Sequence, residues 1–186
     1  MSKSELPQTK KVNKKIVDTK KKLAKSLISL LSKKSLSDID VSELCSLAEI
    51  NRTTFYKHYQ SPYDVLEELI VIFFEKVNDI FVNREVSENL TSQVVILLKY
   101  IKLNRLFISS VMKGNFLELI KNKLMSLDFI NALIKKNISY KKNMFINEDY
   151  YIDFIISGWY AAIKRWVDSE CDLDENTLAR LLTSIY

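Results

Sequence analysis

Glycine, proline, cysteine and histidine are all scarce in these 186 residues: two glycines, two prolines, two cysteines and one histidine. Each scarcity excludes something. With only Gly114 and Gly158, neither a phosphate-cradling loop nor a dinucleotide fingerprint can be assembled, and no Gly-x-Ser-x-Gly nucleophile turn exists. The lone His58 leaves no His-Glu-x-x-His zinc motif. No catalytic residue, metal or cofactor is therefore expected. Cys45 and Cys171 form no Cys-x-x-Cys pair, so neither a zinc ribbon nor a thioredoxin-type motif is available. Both read as small, reduced apolar side chains. A redox-sensing Cys171 is the alternative, and acidic neighbours that raise a thiol pKa count against it. No Asn-Gly or Asp-Gly pair marks a hairpin. No apolar run approaches the ~18 to 20 residues needed to cross a bilayer. The lysine-rich start lacks the apolar core of a secretory signal, so the expected location is the cytoplasm.

What is present is an ordinary globular balance, 47% hydrophobic and 27% charged, with length enough for a real core. The net charge of +5 is unevenly spread. Residues 1–35 hold eleven lysines against Glu5 and Asp18, a balance of +9, so the remainder carries −4. Such asymmetry suits a polyanion at one end, nucleic acid or an anionic membrane. A solvated tail fits equally well. Membrane association would need bulky apolar groups along a long amphipathic face, and residues 1–15 offer only Met1, Leu6 and Val12.

Long stretches show helical spacing, and the expected fold is all-α. Residues 1–18 read as a basic arm. A first helix is expected over about 19–33, because Leu23, Leu27, Leu30 and Leu31 share one face. Lys20, Lys21 and Lys22 would then occupy its first turn, where the helix dipole disfavours exposed cations by roughly 0.3–1 kcal/mol each. An external phosphate would relieve that cost. If the helix starts earlier, near Lys14, the cost never arises. Asp40 with Glu43 resembles a capping box for a second helix, whose inner face is Val41, Leu44, Cys45 and Ala48. After a turn at Glu49-Ile50, Asn51 is a good cap for a third helix over 52–59. Ser61, Pro62 and Asp64 supply the start of a fourth, expected over 62–83.

Two short helices joined by a tight turn, with a third behind them, is the plan of a helix-turn-helix. The third helix carries Arg52, Thr53, Thr54, Tyr56, Lys57 and His58, groups suited to phosphates and base edges. Phe55 is left as its anchor, with Tyr59 as a second.

The stretch over 39–59 ends in Thr-Phe-Tyr-x-His-Tyr and is followed by a Ser-capped helix. With these features the segment over 19–69 resembles the DNA-binding domain of TetR-family regulators. The resemblance implies that the third helix enters the major groove, with Arg52, Thr53 and Thr54 nearest the bases and Tyr56, Lys57 and His58 near phosphates. It places Lys14, Lys15, Lys20, Asp40, Val41 and Asn51 beside the duplex as well. Two departures matter. Glu49 stands in the turn where the family often has glycine, and Pro62 stands where a phosphate-contacting lysine is common.

The implied organisation is a basic arm (1–18), a helix-turn-helix domain (19–64) and a helical dimerisation and ligand-binding body (65–186). Helices are expected near 88–104, 105–113, 115–140, 148–169 and 174–186. The segment over 149–166 looks like a TetR-type penultimate helix. There Phe154, Ser157, Gly158, Ala161, Ala162 and Arg165, with Leu178, Leu181, Leu182 and Ile185 of the last helix, are expected at a two-fold dimer interface. The alternative is that both helices only close the core of one protomer. Bulky residues including Phe74, Tyr100, Phe107, Phe116, Phe129 and Tyr151 could line a small-molecule pocket, or simply fill the core. The expected function is a homodimeric, sequence-specific DNA-binding regulator, a repressor on a near-palindromic operator, with release by a small effector as a further possibility. The rival is a co-regulator that acts mainly through a protein partner.

Overall fold

The structure is a computed structural model that describes residues 6–82, 89–114, 117–127 and 147–184. Phe116, Phe129 and Ile185 lie outside the described residues, as does much of the helix expected over 115–140. Every regular element among the described residues is helical, as the composition and spacing indicated. The chain forms two compact units, Met1–Ile70 and Val71–Tyr186.

In the first unit, α1 runs over Leu6–Leu31. It begins well before residue 19, so the expected basic arm is helical from Leu6 onward. The composition permits this. Residues 8–18 hold neither glycine nor proline, straight-chain lysines lose little freedom in a helix, and Pro7 falls in the first turn, where its missing N–H costs nothing. Lys20, Lys21 and Lys22 thus sit mid-helix and meet no dipole penalty. Leu23, Leu27 and Leu30 are buried. A 3-10 turn at Leu36–Asp38 leads into α2, Val41–Ala48. The Asp40 carboxylate caps α2 by accepting the Glu43 amide at 2.9 Å. The Glu43 carboxylate pairs with Lys34.

Glu49 ends α2 in the left-handed region, φ 54°, ψ 43°. The Ile50 amide donates to the Cys45 carbonyl at 2.9 Å, closing the turn. Asn51 caps α3, Arg52–Phe55. This helix is shorter than the span 52–59. Its end continues as a tightened turn in which the His58 and Tyr59 amides both donate to the Phe55 carbonyl, at 2.9 and 3.0 Å. Next, α4 runs over Pro62–Val82. Its start is fixed by Asp64, which accepts from the Gln60 amide at 2.6 Å and from the Ser61 hydroxyl at 3.1 Å.

The second unit contains α5 (Leu90–Leu103), α6 (Arg105–Lys113), α7 (Leu117–Met125), α8 (Glu148–Asp168) and α9 (Glu175–Ser184). Helix α9 packs along α5 and runs antiparallel to it. Thr91 near the start of α5 meets Thr183 near the end of α9 at 3.0 Å, and Lys102 near the end of α5 meets Glu175 at the start of α9 at 2.9 Å. Helix α8 packs on α6, where the Tyr160 hydroxyl donates to the Met112 carbonyl at 3.2 Å. Between α8 and α9 the chain turns through two successive left-handed residues, Glu170 (φ 60°) and Cys171 (φ 61°). The Cys171 amide donates to the Trp166 carbonyl and the Trp166 indole donates to the Leu173 carbonyl, each at 2.8 Å.

Candidate nucleic-acid interface

The segment from Asn51 to Tyr59 is held from beneath and open above. Phe55 is fully buried and Tyr59 nearly so, their rings 5.7 Å apart. Leu44, Cys45 and Ala48 of α2 are buried in the same unit. Arg52, Thr53, Tyr56 and Lys57 are exposed, while Thr54 and His58 are half-buried. Phe55 and Tyr59 are four apart and share the buried face. The Asn51 side chain accepts the Thr53 amide at 2.8 Å, so its oxygen serves the helix start. The Arg52 guanidinium is held above its ordinary range, first by its hydrogen bond to the Tyr56 hydroxyl and also by the charge of Asp40. Arg52 and Tyr56 thus form one donor-rich surface a single turn long.

The residues expected beside this segment divide by role. Lys14 and Lys15 are exposed on α1, and Val41 is half-buried. The Asp40 carboxylate is engaged as the α2 cap. Lys20 reaches Glu68 of α4 at 2.7 Å, so a phosphate contact from it would first have to break that ion pair. Glu68 is a residue the sequence reading missed. It lies 48 positions from Lys20, and no local pattern links the two.

On α8, Tyr150, Phe154, Ser157, Gly158, Ala161 and Arg165 are exposed along one helical face, with Phe154 at 67% exposure. A Cβ added at Gly158 would meet nothing within 4 Å. Ala162 is half-buried. On α9, Leu181 is half exposed, at 52%. Leu178 and Leu182 do not belong with it. Each is only 2% exposed, and the helix that carries them packs on α5. They close the protomer core, and the apolar stripe read from α9 is mostly internal.

Of the aromatic residues expected around a pocket, Phe74, Tyr100 and Phe107 each meet the ring of Phe73. Phe73 stacks on Tyr100 at 5.2 Å and meets Phe74 and Phe107 at 5.6 and 6.1 Å. Phe74, Phe107 and Tyr151 are buried. An open groove of about 670 Å³ lies between α4 and α5, lined by Ile80, Val82, Ile96, Tyr100 and Leu103 with Lys76, Asp79 and Lys99. Burial pushes the Tyr100 phenol above its ordinary value. Both cysteines are buried and free. Burial raises both thiols, and at Cys171 it outweighs the lowering by Lys102 and Arg105. The Asp153 carboxylate pairs with Lys121.

A family model described as transcriptional regulator C-terminal region matches residues 88–186, slightly more than half of the chain. No curated protein matches the sequence. Among solved structures, a TetR transcriptional regulator from Streptococcus agalactiae 2603V aligns with a TM-score of 0.72 at 21% identity, covering 96% of this chain and 98% of that one. A TetR-family transcriptional regulator from Syntrophomonas wolfei aligns at 0.67 and 15% identity, covering 90% and 92%. The fatty acid degradation regulator FadR from Bacillus halodurans aligns at 0.62 and 17% identity, covering 98% and 96%. At these identities the structural likeness speaks to the fold.

Proposed function

The chain belongs to the TetR family of transcriptional regulators, and we propose that it acts in the cytoplasm as a homodimeric repressor on a near-palindromic operator. The observation that carries this reading is the exposed row Arg52, Thr53, Tyr56 and Lys57 above the buried pair Phe55 and Tyr59. Four exposed donor-bearing side chains on a short, anchored segment suit a major groove. Arg52 with Thr53 and Thr54 reads base edges. Tyr56, Lys57 and His58 fix the register through phosphates. The lysines of α1 add sequence-independent, salt-dependent attraction.

Two copies join through the exposed face of α8 and through Leu181. Its small residues Ser157, Gly158 and Ala161 favour close helix approach, and Phe154 supplies apolar area. A closed two-fold pair then presents two reader segments to two half-sites about one helical turn apart. In this reading the groove beside Tyr100 receives the effector. Its apolar lining and Lys99 suit a small molecule with an apolar body and an anionic head, and its volume falls within the range of known ligand pockets.

Selection of bound fragments from the source genome at moderate salt tests this reading. A Tyr56→Ala, Lys57→Ala double variant serves as control. Enrichment of one or a few near-palindromic sites, lost in the variant, supports it. Binding without enrichment, falling steeply with salt, would leave only a polyanion binder and bring the partner-dependent co-regulator forward.

A further inference from the structure

Lys20, Tyr59 and Glu68 come from α1, the end of the reader segment and α4, and they meet at one carboxylate. The Lys20 ammonium lies 2.7 Å from Glu68 Oε1, the Tyr59 hydroxyl donates to Glu68 Oε2 at 2.5 Å, and the same ammonium sits 5.5 Å from the centre of the Tyr59 ring. The Lys20 and Glu68 side chains are both about one-third exposed. Burial works to raise the Glu68 carboxyl, but the hydrogen bonds from Lys20 and Tyr59 outweigh it and hold it below its ordinary value. The Tyr59 phenol is pushed well up, by burial first and then by its bond to Glu68.

This arrangement bears on the strength and salt dependence of binding to any duplex. Tyr59 directly follows Tyr56, Lys57 and His58, so Lys20 lies next to the end of the reader segment. Every lysine that neutralises a phosphate strengthens binding to all sequences alike and steepens the salt dependence by about 0.9 in log–log slope. Lys14, Lys15 and Lys21 are exposed and free to contribute in this way. Lys20 is occupied.

We propose that Glu68 is a positioning residue, which holds Lys20 in an internal ion pair and so keeps one cation away from the DNA backbone next to the reader segment, weakening binding to every duplex alike. The proposal rests on the DNA-binding reading above. Glu68 limits sequence-independent attraction and ties Tyr59, the second anchor of the reader segment, to α4.

The test uses the full-length chain and its Glu68→Gln variant, in which an oxygen remains for Tyr59 while the charge that holds Lys20 is gone. Affinity for a random duplex is measured across a salt series, beside affinity for the selected operator. Glu68→Gln should steepen the slope on random duplex by about 0.9 and tighten that binding roughly five- to tenfold near 0.1 M salt. Operator affinity should rise by the same factor, so that the operator-to-random ratio is preserved. Adding Lys20→Met to Glu68→Gln should return the slope to the wild-type value. A purely structural loss would weaken binding and could not be reversed by removing a lysine. An unchanged slope in Glu68→Gln, or a steep slope that persists in the double variant, overturns the proposal. Residue-resolved reductive methylation of the free protein separates the two readings. If the wild type shows no salt-dependent attraction to any duplex, the DNA-binding reading fails. The ion pair is then judged alone: slower reaction of Lys20 than of Lys21, abolished in Glu68→Gln, supports it, and equal rates overturn it.

Discussion

The Asn51 carboxamide accepts the Thr53 backbone amide at 2.8 Å, and this bond starts the helix that carries Arg52, Thr53 and Thr54. A helix of one turn has little cooperative support, so its cap matters more than in a long one. Asn51→Ala should cost about 1 kcal/mol of stability in denaturant unfolding and should weaken operator binding, because the segment frays. Asn51→Asp, which keeps the acceptor, should retain the stability. Equal losses in both variants would show that the cap oxygen is not what matters.

Much of the first unit was legible for this kind of reason. Asp40, Asn51 and Asp64 are short-range caps, and Phe55 and Tyr59 are four apart, so each signal lies within a few residues of the structure it specifies. The start of α1 was less legible. Lysine-rich helix and lysine-rich coil share one composition, and only packing at Leu23 and beyond distinguishes them. Leu178 and Leu182 show the same limit in reverse. Their spacing declares a buried face and is silent on whether a partner subunit or α5 covers it. The Lys20–Glu68 pair spans the unit and has no local signature.

Glu49 provides a second test. It holds a left-handed conformation that costs a residue with a Cβ roughly 1 kcal/mol. Its 3.6 Å contact with Lys22 is exposed and offsets little of that. Glu49→Gly should therefore raise unfolding stability by roughly 1 kcal/mol. A loss of stability would mean that the turn depends on the Glu49 side chain.

The start of α4 should carry a pH signature. The Asp64 carboxyl is held below its ordinary value of 3.8, chiefly by the backbone hydrogen bond from Gln60 and also by the bonds from Ser61. A group depressed in the folded state contributes stability that is fully present above its unfolded pKa and is lost as pH falls through the folded value. The stability difference between wild type and Asp64→Ala should be constant near neutrality and shrink once pH drops below the ordinary carboxylate range. Urea unfolding across an acid series checks this, and a difference that grows on acidification would reverse the assigned sign.

The exposed face of α8 predicts assembly. Phe154→Arg with Ala161→Arg should yield a monomer by light scattering with unchanged helical content by circular dichroism, since both side chains are exposed within the protomer. Operator affinity should fall about a hundredfold or more as the second half-site is lost. A variant that stays dimeric would place the interface elsewhere.

The most direct measurement compares operator and random-duplex affinities for wild type and Arg52→Ala at one fixed salt concentration. Arg52 is exposed, so its removal leaves the Phe55 and Tyr59 anchors in place. Operator affinity should fall roughly tenfold to a hundredfold while random-duplex affinity changes far less, so that the specificity ratio collapses. Equal losses on both duplexes, with the ratio preserved, would contradict the assignment of base reading to this segment.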